Sequence, residues 1–104
     1  MKQETVGEFV RKLREESNMP LRRLAAALDI DQSTLSKIET NQRHPTREMI
    51  PIIAKVFKTN MKELKVKFLA EKILYELQDE EHGLDALKVA EQTITYKPKK
   101  NASR

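Results

Sequence analysis

The 104-residue sequence predicts an all-α fold, and three observations carry that expectation. Only two glycines and four prolines interrupt the chain, and Ala, Leu, Ile, Lys and Glu are prominent, a composition that suits helices and lacks hairpin turn residues. Apolar residues recur at three- and four-residue spacing along most of the length. Residues able to cap helices stand ahead of several of those apolar runs. The length suits one small domain with an appendage.

Composition narrows function by exclusion. With no cysteine there is no disulfide and no thiolate metal site. A net charge of +4 and a pI near 9.4 permit binding to a polyanion without requiring it. No apolar run approaches the roughly 18 residues that span a bilayer, and the start MKQETVGEF lacks a signal peptide's apolar core, so a cytoplasmic location and no membrane are expected. His44 and His82 lack acidic or Cys companions at ligand spacing, so neither a metal nor a cofactor is expected. Carboxylate pairs such as Glu15-Glu16 and Glu80-Glu81 read as solvated surface, with no nucleophile or phosphate-cradling loop nearby, and no enzyme is expected.

Thr5 and Glu8 have capping-box spacing, and a first helix follows to about residue 17, burying Val6, Phe9, Val10 and Leu13. Met19-Pro20 ends it. A second helix, about 21–28, buries Leu24 and Leu28 and carries Ala25, small enough to admit a neighbouring helix. After the turn Asp29-Ile30-Asp31, Asp31 caps a third helix, about 32–40, with Leu35 and Ile38 inward and Asn41 suited to the left-handed closure at its end. Thr46 is expected to cap a fourth helix, about 47–57, bent or short of a hydrogen bond at Pro51. Asn60 and Glu63 open a long fifth helix, about 61–78. Asp79 to Gly83 break the pattern, and a sixth helix follows over about 84–93.

A helix-turn-helix lays its second helix steeply across the first and offers the exposed side of that helix to the DNA major groove. Such packing needs apolar residues at Leu24, Leu28, Ile30, Leu35 and Ile38 and a small residue at Ala25, and all are present. Asp29 occupies a turn position that calls for positive φ, which Asp tolerates.

On these residues, LAAALDIDQSTLSKIETNQRHPT resembles the Cro/C1-type helix-turn-helix of phage repressors and the xenobiotic-response-element family of bacterial regulators, over roughly residues 8–64. The resemblance implies a five-helix lambda-repressor-like DNA-binding domain, here with an extended fifth helix and an added C-terminal helix. It implies base reading by Gln32, Ser33, Ser36 and Lys37, whose chemistry fits: Gln is bidentate to adenine, Ser donates or accepts, and Lys suits guanine or phosphate. Backbone phosphates fall to Leu21 through its amide, to Arg22, Thr34 and Arg43, and to the amides and side chains of Thr40 and Asn41. Arg14 and Glu39 match a structural ion pair between the first and third helices. Pro20 and Leu21 depart from the family, which often has a capping Ser, Thr or Asn and then a phosphate-gripping Gln.

The fifth helix carries more apolar surface than such a domain needs, either as core or as an interface. Dimerisation is the favoured reading, through Phe68, Leu69, Ile73, Leu77, Leu84 and Leu87. The division that follows is a DNA-binding domain at 1–64, a helical dimerisation extension at 65–95 and a basic disordered tail at 96–104. The expected function is a transcriptional regulator, a repressor acting as a homodimer on a pseudo-palindromic double-stranded DNA operator. The competing reading is a helical protein-interaction module, antitoxin-like or an adaptor, whose last two helices bind a partner protein.

Overall fold

The computed structural model describes residues 4–96, which form six helices and no strand. They are α1 (Val6–Glu16), α2 (Leu21–Leu28), α3 (Gln32–Glu39), α4 (Met49–Phe57), α5 (Met61–Leu77) and α6 (Gly83–Tyr96). The chain divides into two compact units between Glu71 and Lys72. The fold is therefore all-α, with the long fifth helix and the added sixth.

In the first unit α1 packs on α3, α3 on α2, and α2 on α4. Their shared core holds Val6, Val10, Leu24, Ala25, Leu28, Leu35, Ile38, Ile50, Ile53 and Ala54, closed by Leu64 and Phe68 from α5. Phe68 therefore leaves the expected interface set. It is 4% exposed in the core of this unit, under the Arg47 guanidinium 5.8 Å from its ring centroid. The reason lies in helical phase: Phe68 stands one turn from Leu64 on the core face, whereas Leu69, Ile73 and Leu77 recur at four-residue steps on the opposite face. Of those three, Leu69 and Ile73 are exposed and Leu77 is half-buried.

The ends of α1, α2, α3 and α4 follow one pattern. Asn18, Asp29, Asn41 and Lys58 all take left-handed φ, between 54° and 66°. Each is followed by a residue whose amide reaches back five positions: Met19 to Arg14 O, Ile30 to Ala25 O, Gln42 to Lys37 O and Thr59 to Ala54 O. This closure satisfies carbonyls that a helix end would otherwise leave bare. At α1 it is Asn18 that stops the helix, while Pro20 becomes the extended N-cap of α2.

Two expectations about α4 change. The helix begins at Met49, because residues 46–49 form a turn in which Thr46 O accepts from the Met49 amide, and Thr46 is not its N-cap. Pro51 is then the third helical residue, inside the first turn, where an amide has no intrahelical partner, and no hydrogen bond is lost.

In the second unit the chain leaves α5, turns, and starts α6 at Gly83, whose amide bonds Glu80 O at 3.1 Å. A Cβ at Gly83 would stand 2.5 Å from Leu77 O, so the chain reversal requires glycine there. The helix continues to Tyr96, beyond its expected end, and residues 97–104 of the expected tail lie outside the described residues. Gly83 is the single buried residue among the described residues of this unit. Ile73, Leu74, Leu84 and Leu87 are exposed.

Candidate nucleic-acid interface

Helix α3 is short, eight residues, and its placement comes from its neighbours rather than from intrinsic stability. Asp31 opens it: the carboxylate accepts from the Thr34 amide at 2.7 Å and from Ser33 Oγ at 3.3 Å. These bonds from Thr34, with Ser33 and the charge of Arg43 adding to them, hold the Asp31 carboxyl below its ordinary value. Leu35 and Ile38 then turn inward into the core. Gln32, Ser33, Ser36 and Lys37 remain exposed, at positions that share one helical face, and Thr34 is half-buried beside them.

Glu39 is held on the inner side, 3% exposed, by a bidentate pair with Arg14: Nε donates to Oε2 at 2.8 Å and Nη2 to Oε1 at 3.0 Å. Arg14 Nη1 also donates to Met19 O at 2.9 Å, so one guanidinium joins α1, α3 and the turn into α2. The hydrogen bonds that Arg14 donates to the Glu39 carboxylate hold its pKa above the ordinary value.

At the far end, the groups expected to grip phosphate have partners within the chain. The Thr40 amide bonds Ser36 O and the Asn41 amide bonds Ile38 O, so both are spent within the helix closure. The Thr40 hydroxyl donates to Ser36 O at 2.8 Å and accepts from Gln42 Nε2. Asn41 is engaged at both ends of its side chain. Its Oδ1 accepts from Thr5 Oγ1 at 2.7 Å, and its Nδ2 donates to Glu8 Oε2 at 2.8 Å. Thr5 and Glu8 are the capping box of α1, so Asn41 fastens the end of α3 to the start of α1. The Thr34 amide is likewise committed, to Asp31.

Leu21 is half-buried and packs its side chain on the core, leaving its backbone amide at the start of α2 as the polar group it offers. Arg22 and Arg43 are exposed.

Sequence reasoning missed Gly7, which is buried where α1 meets α3; a Cβ there would stand 2.0 Å from Ile38 O. It also missed Glu71, whose Oε1 accepts from the Val6 amide at 2.9 Å. The scarcity of glycine was a usable signal for Gly7. Nothing local marked Glu71.

Among the described residues no group of three or more His, Cys, Asp or Glu side chains could hold a metal ion, and no helix is long and apolar enough to cross a membrane. Neither the curated proteins nor the solved structures gave a match. A family model described as Helix-turn-helix matches residues 10–64, which takes in α2, α3, α4 and their connections. With over half of the sequence matched, the chain belongs to the Cro/C1-type helix-turn-helix family of DNA-binding regulators.

Proposed function

We propose that this protein is a sequence-specific double-stranded DNA-binding transcriptional regulator, a repressor acting as a homodimer on a pseudo-palindromic operator in the cytoplasm. The observation that carries the reading is the exposed set Gln32, Ser33, Ser36 and Lys37 on a helix whose opposite side is fixed by Leu35, Ile38 and Glu39. Those four side chains read base edges. Arg43, Arg22 and the Leu21 amide hold phosphate and set register. Thr34, Thr40 and Asn41 contribute chiefly by shaping the helix that carries the readers, since their amides are bonded internally.

The dimer reading rests on exposed apolar side chains. Leu69 and Ile73 on α5 and Leu84 and Leu87 on α6 are exposed, with Leu77 half-buried, and the second unit has no buried apolar side chain of its own among its described residues. Two copies joined through this extension present two reading helices to half-sites about one helical turn apart, roughly 10 bp. The same exposed apolar surface favours the second reading, a helical module that binds a partner protein.

Selection from a random duplex pool separates the two. A DNA reader enriches a motif with paired half-sites and loses affinity steeply as salt rises, through counterion release. A pool that enriches nothing, with weak binding even at low salt, would transfer the assignment to the interaction module.

A further inference from the structure

The carboxylate of Glu71 stands at a junction that the family-matched segment, ending at residue 64, does not include. Glu71 Oε1 accepts from the Val6 amide at 2.9 Å, and Oε2 lies 3.7 Å from His44 Nδ1. The carboxylate is 18% exposed, and Val6 is fully buried. Val6 is the first residue of α1, so its amide has no intrahelical acceptor, and a carboxylate there satisfies it and meets the positive end of the helix dipole. Lys67, one turn earlier on α5, reaches the same end of α1, 4.0 Å from Glu4 Oε1 and 5.3 Å from the Phe9 ring centroid.

What this end of α1 touches gives the bond its consequence. Its capping box holds Asn41, and Gly7 lies against Ile38 O, so the first turn of α1 positions the C-terminal end of α3. His44 follows Arg43 and precedes the buried Pro45 in the loop leaving α3. Thr5, Gly7, Ile38, Asn41, Arg43 and Glu71 line one depression of about 220 Å³.

We propose that Glu71 is a positioning residue for DNA binding. Its carboxylate fixes the start of α1 and the 42–45 loop in one register, so that the Arg43 guanidinium meets phosphate when α3 enters the groove. This inference rests on the DNA-binding reading above and adds to it a determinant on the fifth helix.

The test uses the full chain, a fluorescent duplex carrying the motif enriched from the random pool, and titrations across a salt series. Glu71→Ala lowers affinity about tenfold and flattens the dependence of log K on log salt by about one phosphate contact. Glu71→Gln, which retains an acceptor for the Val6 amide, restores most of both. In an Arg43→Ala background Glu71→Ala adds little, because the contact it positions is already gone. Should Glu71→Ala fail to fold, Glu71→Asp keeps the charge but withdraws the carboxylate by one methylene, and it flattens the same slope. A capping role alone predicts otherwise: lower thermal stability, with wild-type affinity and salt slope for the folded protein. That result, or affinity losses from Glu71→Ala and Arg43→Ala that simply add, overturns the proposal. If the wild-type chain enriches no motif and Lys37→Ala leaves its DNA binding unchanged, the DNA reading itself fails. Wild-type-like binding by the Glu71 variants beside a weakened Lys37→Ala removes the role of Glu71 alone.

Discussion

Removing Arg14 should destabilise the protein more than removing its partner Glu39, and the asymmetry follows from what each deletion strands. Arg14→Ala leaves a carboxylate that is 3% exposed without its two donors and leaves Met19 O without its bond. Breaking a buried pair from one side costs about 3–5 kcal/mol, and this case belongs in the upper part of that range. Glu39→Ala leaves a guanidinium that is 15% exposed and still donates to Met19 O. Partial access to water reduces the cost to about 2–3 kcal/mol. Urea unfolding at neutral pH, followed by helical circular dichroism with the slopes held common, reads the difference directly. A gap of about 1 kcal/mol corresponds to roughly 4–8 °C in melting temperature for a domain of this size. The double replacement Arg14→Met with Glu39→Leu, which strands no charge, should recover most of the loss. Equal costs for the single variants, a larger cost for Glu39→Ala, or losses below about 1 kcal/mol for both would refute the reasoning and make the pair an ordinary solvated contact.

Gly7→Ala forces its new methyl group against Ile38 O, at 2.0 Å without relaxation, and should cost at least about 1–3 kcal/mol in a thermal melt; an unchanged midpoint would contradict the close approach of α1 and α3. Lys58→Gly relieves a left-handed lysine with φ of 54°, and after the entropy cost of glycine should stabilise by about 0.5–1 kcal/mol, read by the same melt. The Asp31 carboxyl titrates below its unfolded value, so its cap contributes above that unfolded value and is lost as pH falls through the lower, folded one. The stability difference between wild type and Asp31→Ala should accordingly shrink on acidification through that window, and a difference independent of pH would remove the charged cap as its origin. For the proposed dimer, Ile73→Glu should shift sedimentation to the monomer with helicity intact, because Ile73 is 44% exposed, whereas the same change at Phe68 would strike the core.

The parts of the fold legible in the sequence were those fixed by short-range chemistry. Asp29 and Asn41 announce left-handed closures because Asn and Asp tolerate positive φ, and Asp31 announces the start of α3 because a carboxylate can accept amides three residues on. Asn18 had the same chemistry, but the proline two residues later offered a competing reason for the helix to stop. Lys58 had none. Its closure rests on backbone bonds alone, the Lys58 and Thr59 amides both reaching back to Ala54 O, which residue type does not announce. The start of α4 misled for a related reason: Thr46 has the right cap chemistry, yet the turn through 46–49 takes its carbonyl and delays the helix.

The candidate site divides along the same line. The exposed face of α3 could be read from residue type and spacing alone, since Gln32, Ser33, Ser36 and Lys37 belong to one eight-residue helix. What holds that helix in place could not, because the holding contacts join residues far apart in sequence. Arg14 meets Glu39 across 25 positions, Asn41 meets Glu8 across 33, and Glu71 meets Val6 across 65. Only the first was accessible beforehand, and by resemblance rather than by chemistry. The departure at Pro20-Leu21 removes side-chain grip at the start of α2. On the proposed DNA-binding reading this leaves more of the phosphate contact to Arg43, which sits in the loop that Asn41, at the end of α3, and Glu71 border. On that proposed reading, the side chains that look most like ordinary helix caps set the accuracy with which α3 is presented.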